Sequence, residues 1–244
     1  MQKKTPIWLF DLDNTLHNAS HAIFPAINAN MNSFIARVLG DGITPADEAT
    51  VNAARLEYWR RYGATLLGMV KHHQVKEEDF LREAHRFDDL SAMIRAERGL
   101  ARLLKRLPGR KILLTNAPRR YSHDVMRHLG LHRHFAKHIP IEAMRVHRQL
   151  RPKPSVSLLR KLIAQERVPA SRCILVEDTA DTLKAAKSLG MRTAWITRYL
   201  AAAAALPARA GNTRIPKLTM RPSYIDAKVR SISQLPRSAR QLYR

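Results

Sequence analysis

The chain has 244 residues, 45% of them hydrophobic, with 43 lysines and arginines against 20 aspartates and glutamates. Such a composition supports a packed core and excludes wholesale disorder, and the length suits one large domain or a domain with a sizeable insertion. No apolar stretch approaches the ~20 residues of a membrane span. The opening "MQKKTPIWLFDLD" lacks the apolar run of a signal peptide, and the single cysteine, Cys173, excludes an internal disulfide, so a cytoplasmic protein is expected.

The net charge of +23 is unevenly spread. Residues 98–160 carry 16 basic side chains against 2 acidic and residues 198–244 carry 10 against 1, whereas residues 17–97 carry 9 against 11. A field of this kind draws in small anions, or nucleic acid nonspecifically. With 6% aromatic residues and no zinc-finger or RNA-binding signature, nucleic acid is the secondary expectation.

The first predicted element is a strand at Ile7–Phe10, which runs into two closely spaced acids, Asp11 and Asp13. Residues 18–97 then read as helical throughout. Ile23, Ile27, Met31, Ile35 and Val38 mark one amphipathic helix; Thr44, Pro45 and Asp47 form a capping pattern; Gly63 reads as a stop; and "KEEDFLREAHRF" starts a helix with acids in its first turn. This stretch is predicted to be a helical cap inserted into a core made of residues 1–17 and 98–244. After it, Leu100, Leu103, Leu104 and Leu107 form a helix stripe, and Lys111–Leu114 is a second strand. A helix from near Pro118 to Gly130, a strand at His138–Ile141, and a helix with Val156, Leu159 and Ile163 on its apolar face follow. Cys173–Val176 and Thr193–Thr197 are further strands on either side of "TADTLKAAKSLG", residues 198–221 read as a flexible basic loop, and "YIDAKVRSISQL" returns as an edge strand. Strands alternating with helices predict an α/β fold, a Rossmann-like doubly wound parallel sheet.

In such a sheet, ligands bind beyond the carboxyl ends of the strands. Asp11 with Asp13, Thr115 with Asn116, Lys153 in "RPKPS", and Glu177 with Asp178 all stand at or near such ends. Carboxylates for a hard metal, a hydroxyl at a helix start and a lysine suit a phosphate group.

The four stretches "DLDNT", "LLTNA", "RPKPS" and "LVEDTADTLKAAKSLGM" resemble, in order, the four motifs of the haloacid dehalogenase-like hydrolase superfamily. "YWRRYGATLLGMVKHH" is similar to the cap of its pyrimidine 5′-nucleotidase branch. The resemblance implies a phosphate monoesterase in which Asp11 attacks phosphorus, Asp13 serves as acid and base, Thr115 and Asn116 bind the phosphoryl group, and Lys153 neutralises charge. It implies Mg²⁺ held by Asp11, the Asp13 carbonyl and Asp178, with Glu177 reaching it through water. The substrate it implies is a small phosphate ester, first a pyrimidine nucleoside 5′-monophosphate. The alternatives are a sugar-phosphate mutase, a phosphoglycolate-type phosphatase, or a basic nucleic-acid-binding protein on an inactive hydrolase fold. Glu177, where nucleotidase relatives often carry aspartate, is the departure that also fits the mutases. His17, Asn18, Tyr62 and Arg119 are the substrate-contact candidates.

Overall fold

The computed structural model describes residues 5–200 and 221–242. These fall into two compact units: one comprises the described residues up to Ala19 and from Ile94 onward, the other Ser20–Met93. In the first unit, β1 (Ile7–Phe10), β2 (Arg110–Leu114) and β3 (Lys137–Ile139) are followed by a short antiparallel hairpin of β4 (Arg145–Val146) and β5 (Gln149–Leu150). Next come β6 (Cys173–Glu177), β7 (Arg192–Ile196) and β8 (Ala227–Val229). The main sheet is wholly parallel among the described residues, in the order β3-β2-β1-β6-β7-β8. The central strands β1 and β6 are buried along their whole length, as a sheet covered on both faces requires, which is why they read as continuous apolar runs rather than alternating ones. Pro140, which has no N–H to donate, follows β3 directly, so that strand stops short of the predicted Ile141.

The second unit is helical: α1 (Ile23–Leu39), α2 (Glu48–Tyr62), α3 (Thr65–His73), α4 (Glu77–Ala84) and the single turn α5 (Leu90–Met93). Asp47 caps α2 by accepting the Thr50 N–H at 2.7 Å, and Gly63 ends it at φ 79°, a left-handed conformation that costs glycine little.

Helices of the first unit are α6 (Leu100–Arg106), α7 (Arg119–His128), α8 (Val156–Glu166), α9 (Ala180–Ser188) and α10 (Leu235–Leu242). One helix face differs from the sequence expectation. Leu158, Leu159 and Leu162 are the buried side chains of α8, and Val156 is 37% exposed. Both sets of positions obey helical spacing, and packing selects the leucine-rich phase. The Cys173 thiol is buried on β6 and burial pushes it up to about 11, so it is unreactive. The expected loop at 198–221 lies almost wholly outside the described residues. Among those described, no helix is long and apolar enough to cross a membrane.

Candidate active site

Strand register brings the polar groups to one height. Phe10 sits opposite Leu113 of β2 and Val176 of β6, so Asp11, Leu114 and Glu177 follow together and Thr115 comes one residue later. The Asp11 N–H extends the pairing by donating to the Val176 carbonyl at 3.0 Å. Strand order also reverses between β1 and β6: the chain leaves β1 for β2 and β3 on one side, then adds β6, β7 and β8 on the other. A doubly wound sheet opens its ligand crevice at this place.

Lys153 enters the crevice from the loop before α8. Its Nζ donates to Asp11 Oδ1 and to Glu177 Oε2, each at 2.6 Å, joining residues 142 and 24 positions away. The loop is held from the β2 side by Asn116, whose Nδ2 donates to the Lys153 carbonyl at 3.0 Å while its Oδ1 accepts the Lys153 N–H at 2.9 Å. The Asn116 side chain thus aims the lysine. The other oxygen of Glu177 accepts the Thr179 N–H at 3.2 Å, and Thr179 Oγ1 donates to Asp178 Oδ1 at 3.2 Å, so the start of α9 orders both acids.

Carboxylate oxygens of Asp11, Glu177 and Asp178 lie within 4.8 Å of one another. Three acids against one ammonium leave the cluster two charges negative when all are ionised. Burial, with the Glu177 charge adding to it, pushes the Asp11 carboxyl up to about 8, and Lys153 opposes the rise. Asp178 is likewise driven well above the usual carboxylate range by burial and by Glu177. Burial works against the charge on Lys153, but the attraction of Asp11 and Glu177 prevails and holds its ammonium above the ordinary lysine value. Hard oxygen donors with a deficit of two positive charges fit a divalent cation of the magnesium kind.

Asp13 stands apart from this cluster in its partners. Its Oδ1 accepts from the Tyr121 hydroxyl at 2.6 Å and lies 2.8 Å from His17 Nε2. Burial and the Asp13 charge push the Tyr121 hydroxyl well above its ordinary value, which keeps it a donor.

Thr115 is buried after β2, its Oγ1 accepting the Ala117 N–H at 3.1 Å. His17 is 0% exposed, and its Nε2 lies 2.8 Å from Asp13 Oδ1. Asn18 is half-buried and donates its N–H to the Arg95 carbonyl at 2.7 Å. Arg119, exposed at the start of α7, has its backbone N–H on the Glu142 carboxylate at 2.9 and 3.1 Å. Tyr62 belongs to the helical unit, where its hydroxyl meets His72 Nε2 at 2.6 Å. Two groups at the site went unnoticed in the sequence: Thr15, whose Oγ1 donates to Asp11 Oδ2 at 3.3 Å, and Tyr121. Thr15 closes the "DLDNT" stretch and was within reach of that motif. Tyr121 carries no local signal beyond the helical spacing it shares with Val125 on the buried face of α7.

The chain belongs to the haloacid dehalogenase-like hydrolases, whose family model matches residues 7–190, the stretch containing every clustered residue above. Among solved structures it is similar to CbbY from Rhodobacter sphaeroides, a mutant of which was crystallised with xylulose-(1,5)bisphosphate. That likeness has 20% identity and a TM-score of 0.60 over 95% of this chain and 96% of that one. A HAD phosphatase from Thermococcus onnurineus matches at 17% identity and TM-score 0.60, over 95% and 96% of the two chains. L-2-haloacid dehalogenase from Xanthobacter autotrophicus matches at 18% identity and TM-score 0.56, over 96% and 98%. At these identities the likeness is one of fold. None of the three is named a nucleotidase.

Proposed function

We propose that this hydrolase cleaves small phosphate monoesters through a covalent phosphoenzyme on Asp11. An Asp11 oxygen forms a bond to phosphorus as the bond to the ester oxygen breaks, and a proton held by Asp13 passes to that leaving oxygen. Water then attacks the aspartyl phosphate and gives its proton to Asp13, releasing phosphate and restoring the Asp11 carboxylate. Lys153 cancels the repulsion between an anionic nucleophile and an anionic substrate, and Thr115 donates to the phosphoryl oxygens. Asp11, the Asp13 carbonyl and Asp178 would hold Mg²⁺, with Glu177 outside them, both of its oxygens being engaged by Lys153 and Thr179. When bound, the ion supplies charge neutralisation at the transferring phosphoryl group. The observation that carries the reading is the buried Lys153 ammonium placed equally on Asp11 and Glu177.

A sugar phosphate or a phosphoglycolate-type ester is the favoured substrate, on the strength of the CbbY likeness. The nucleoside 5′-monophosphate reading keeps one supporting observation, the "YGATLLG" stretch from Tyr62 into α3. Phosphate release from a panel of sugar phosphates, phosphoglycolate and nucleoside monophosphates, with Mg²⁺, separates the two. Transfer onto a second hydroxyl of a bisphosphate-primed sugar would mark a mutase instead. Asp11→Asn is expected to lower turnover at least about a thousandfold on whichever ester is cleaved, because an amide is a poor nucleophile. Unchanged turnover in that variant would remove Asp11 as the attacking group.

A further inference from the structure

We infer that Tyr121 and His17 are positioning residues for Asp13, holding its carboxylate where it exchanges protons with the leaving oxygen and with water. This rests on the phosphomonoesterase reading above. Three contacts define the arrangement: Tyr121 hydroxyl to Asp13 Oδ1 at 2.6 Å, His17 Nε2 to the same oxygen at 2.8 Å, and Tyr121 hydroxyl to His17 Nε2 at 3.4 Å. The supports come from different elements. Asp13 and His17 belong to the loop after β1, and Tyr121 to the first turn of α7, 108 residues on.

The direction of the bonds follows from burial. His17 is wholly buried, and among the described residues its Nδ1 has no hydrogen-bond partner. A hydrogen there would be buried without an acceptor, so the ring hydrogen belongs on Nε2, where a carboxylate oxygen receives it. Asp13 therefore takes two donors on one oxygen, both from groups more buried than itself: its side chain is 15% exposed and that of His17 is 0%. The two supports are buried, Tyr121 at 3% exposure and His17 at 0%, and the carboxylate is the most exposed member of the three.

Neutral donors suit this task. Asp11, the attacking carboxylate, is paired with an ammonium, which favours the anion and opposes the rise that burial imposes. A group that must give a proton in one half-reaction and take one in the next is better held by partners that tolerate both forms. Proton transfer needs heavy atoms about 2.6–3.2 Å apart, and a misplacement of about 1 Å costs on the order of 100-fold in rate. Loosening these supports should thus slow the step that needs the acid while leaving substrate affinity nearly unchanged.

The test compares kcat/KM on an alkyl phosphate, whose leaving oxygen needs a proton, with that on p-nitrophenyl phosphate, whose leaving oxygen does not. Tyr121→Phe is expected to lose about tenfold or more on the alkyl ester and less than about threefold on the nitrophenyl ester, with KM little changed. His17→Leu should behave in the same way. His17→Gln, whose amide nitrogen can replace Nε2–H, should recover most of the loss. A thermal melt shows which variants are folded at the assay temperature, and the His17 pair carries the comparison if Tyr121→Phe is not. Equal losses on both esters would mean a merely structural role and overturn the inference, as would wild-type rates in Tyr121→Phe and His17→Leu. Wild-type protein that cleaves no ester would instead defeat the phosphomonoesterase reading itself, and this inference with it.

Discussion

Among the described residues, Lys153 at the sheet edge and Arg55 in the helical unit are both buried cations, and their partners differ in kind. At the carboxyl edge of the sheet, Lys153 meets Asp11 and Glu177, with Asp178 close by, and acids outnumber the cation. In the helical unit, the buried Arg55 of α2 donates to amide oxygens of α1, to Asn28 at 3.1 Å and to Asn32. Neutral acceptors receive the terminal N–H groups of this guanidinium without gathering like charges around it. Three acids around one ammonium cost stability unless a further cation arrives, so the sheet edge is built for a ligand rather than for the fold. The largest excess of unlike behaviour between the two regions should therefore appear when the ammonium is removed.

Lys153→Met is the strongest test of that difference. Its stem keeps most of the lysine volume, but Asp11 and Glu177 lose their shared donor. Removing one partner of a buried ion pair typically costs about 3–5 kcal/mol, and losing one donor to a developing oxyanion costs roughly 100- to 1,000-fold in turnover. Both effects are expected together, the first by denaturant unfolding and the second by phosphate release. A variant that keeps full stability and full turnover would show that the lysine pairing is incidental.

Much of this edge was legible in the sequence because its residues sit in short stretches tied to strand ends. A strand's register is set by its apolar run, so an acid directly after "IWLF" and one directly after "CILV" are bound to arrive at one level once β1 pairs with β6. The lysine was legible only through motif order, since nothing local says that residue 153 reaches residue 11. Tyr121 was not legible at all: a tyrosine on the buried face of a helix is usually core, and its hydroxyl finds Asp13 only through the packing of α7. The spacing of four between Asp13 and His17 permits their mutual contact, whereas the burial of His17 is not legible in the sequence. On α8 the expected Leu159 is buried, but Val156 is 37% exposed and Ile163 half-buried, because Leu158 and Leu162 satisfy helical spacing with Leu159 equally well and face inward.

Adding Mg²⁺ to metal-free protein should stabilise the sheet unit by about 2.7 kcal/mol when the ion is at one hundred times its dissociation constant. For chains of this size that corresponds to a rise of roughly 5–10 °C in a thermal melt. Asp178→Asn, which removes one negative donor from the cluster, is expected to abolish most of the rise. An undiminished rise in that variant would place the ion elsewhere.

The smallest expected effect belongs to the helical unit and tests the other side of the comparison. Gly68, in α3, packs directly on Tyr58 of α2. A methyl group there would stand 2.1 Å from Tyr58 Cγ and 2.4 Å from its Cβ. These are the root of the ring rather than its tip, so rotation cannot clear them. Tyr58 is also fixed at its far end, its hydroxyl 2.5 Å from His73 Nε2 and its ring stacked on His72. Gly68→Ala should therefore separate α2 from α3 at a cost of about 1–3 kcal/mol, the usual size of an overpacking defect. Because the defect is steric, the loss should be the same at low and high salt, and the Mg²⁺-dependent rise in melting temperature should survive it. A loss that tracks ionic strength would show that charge governs this unit as well.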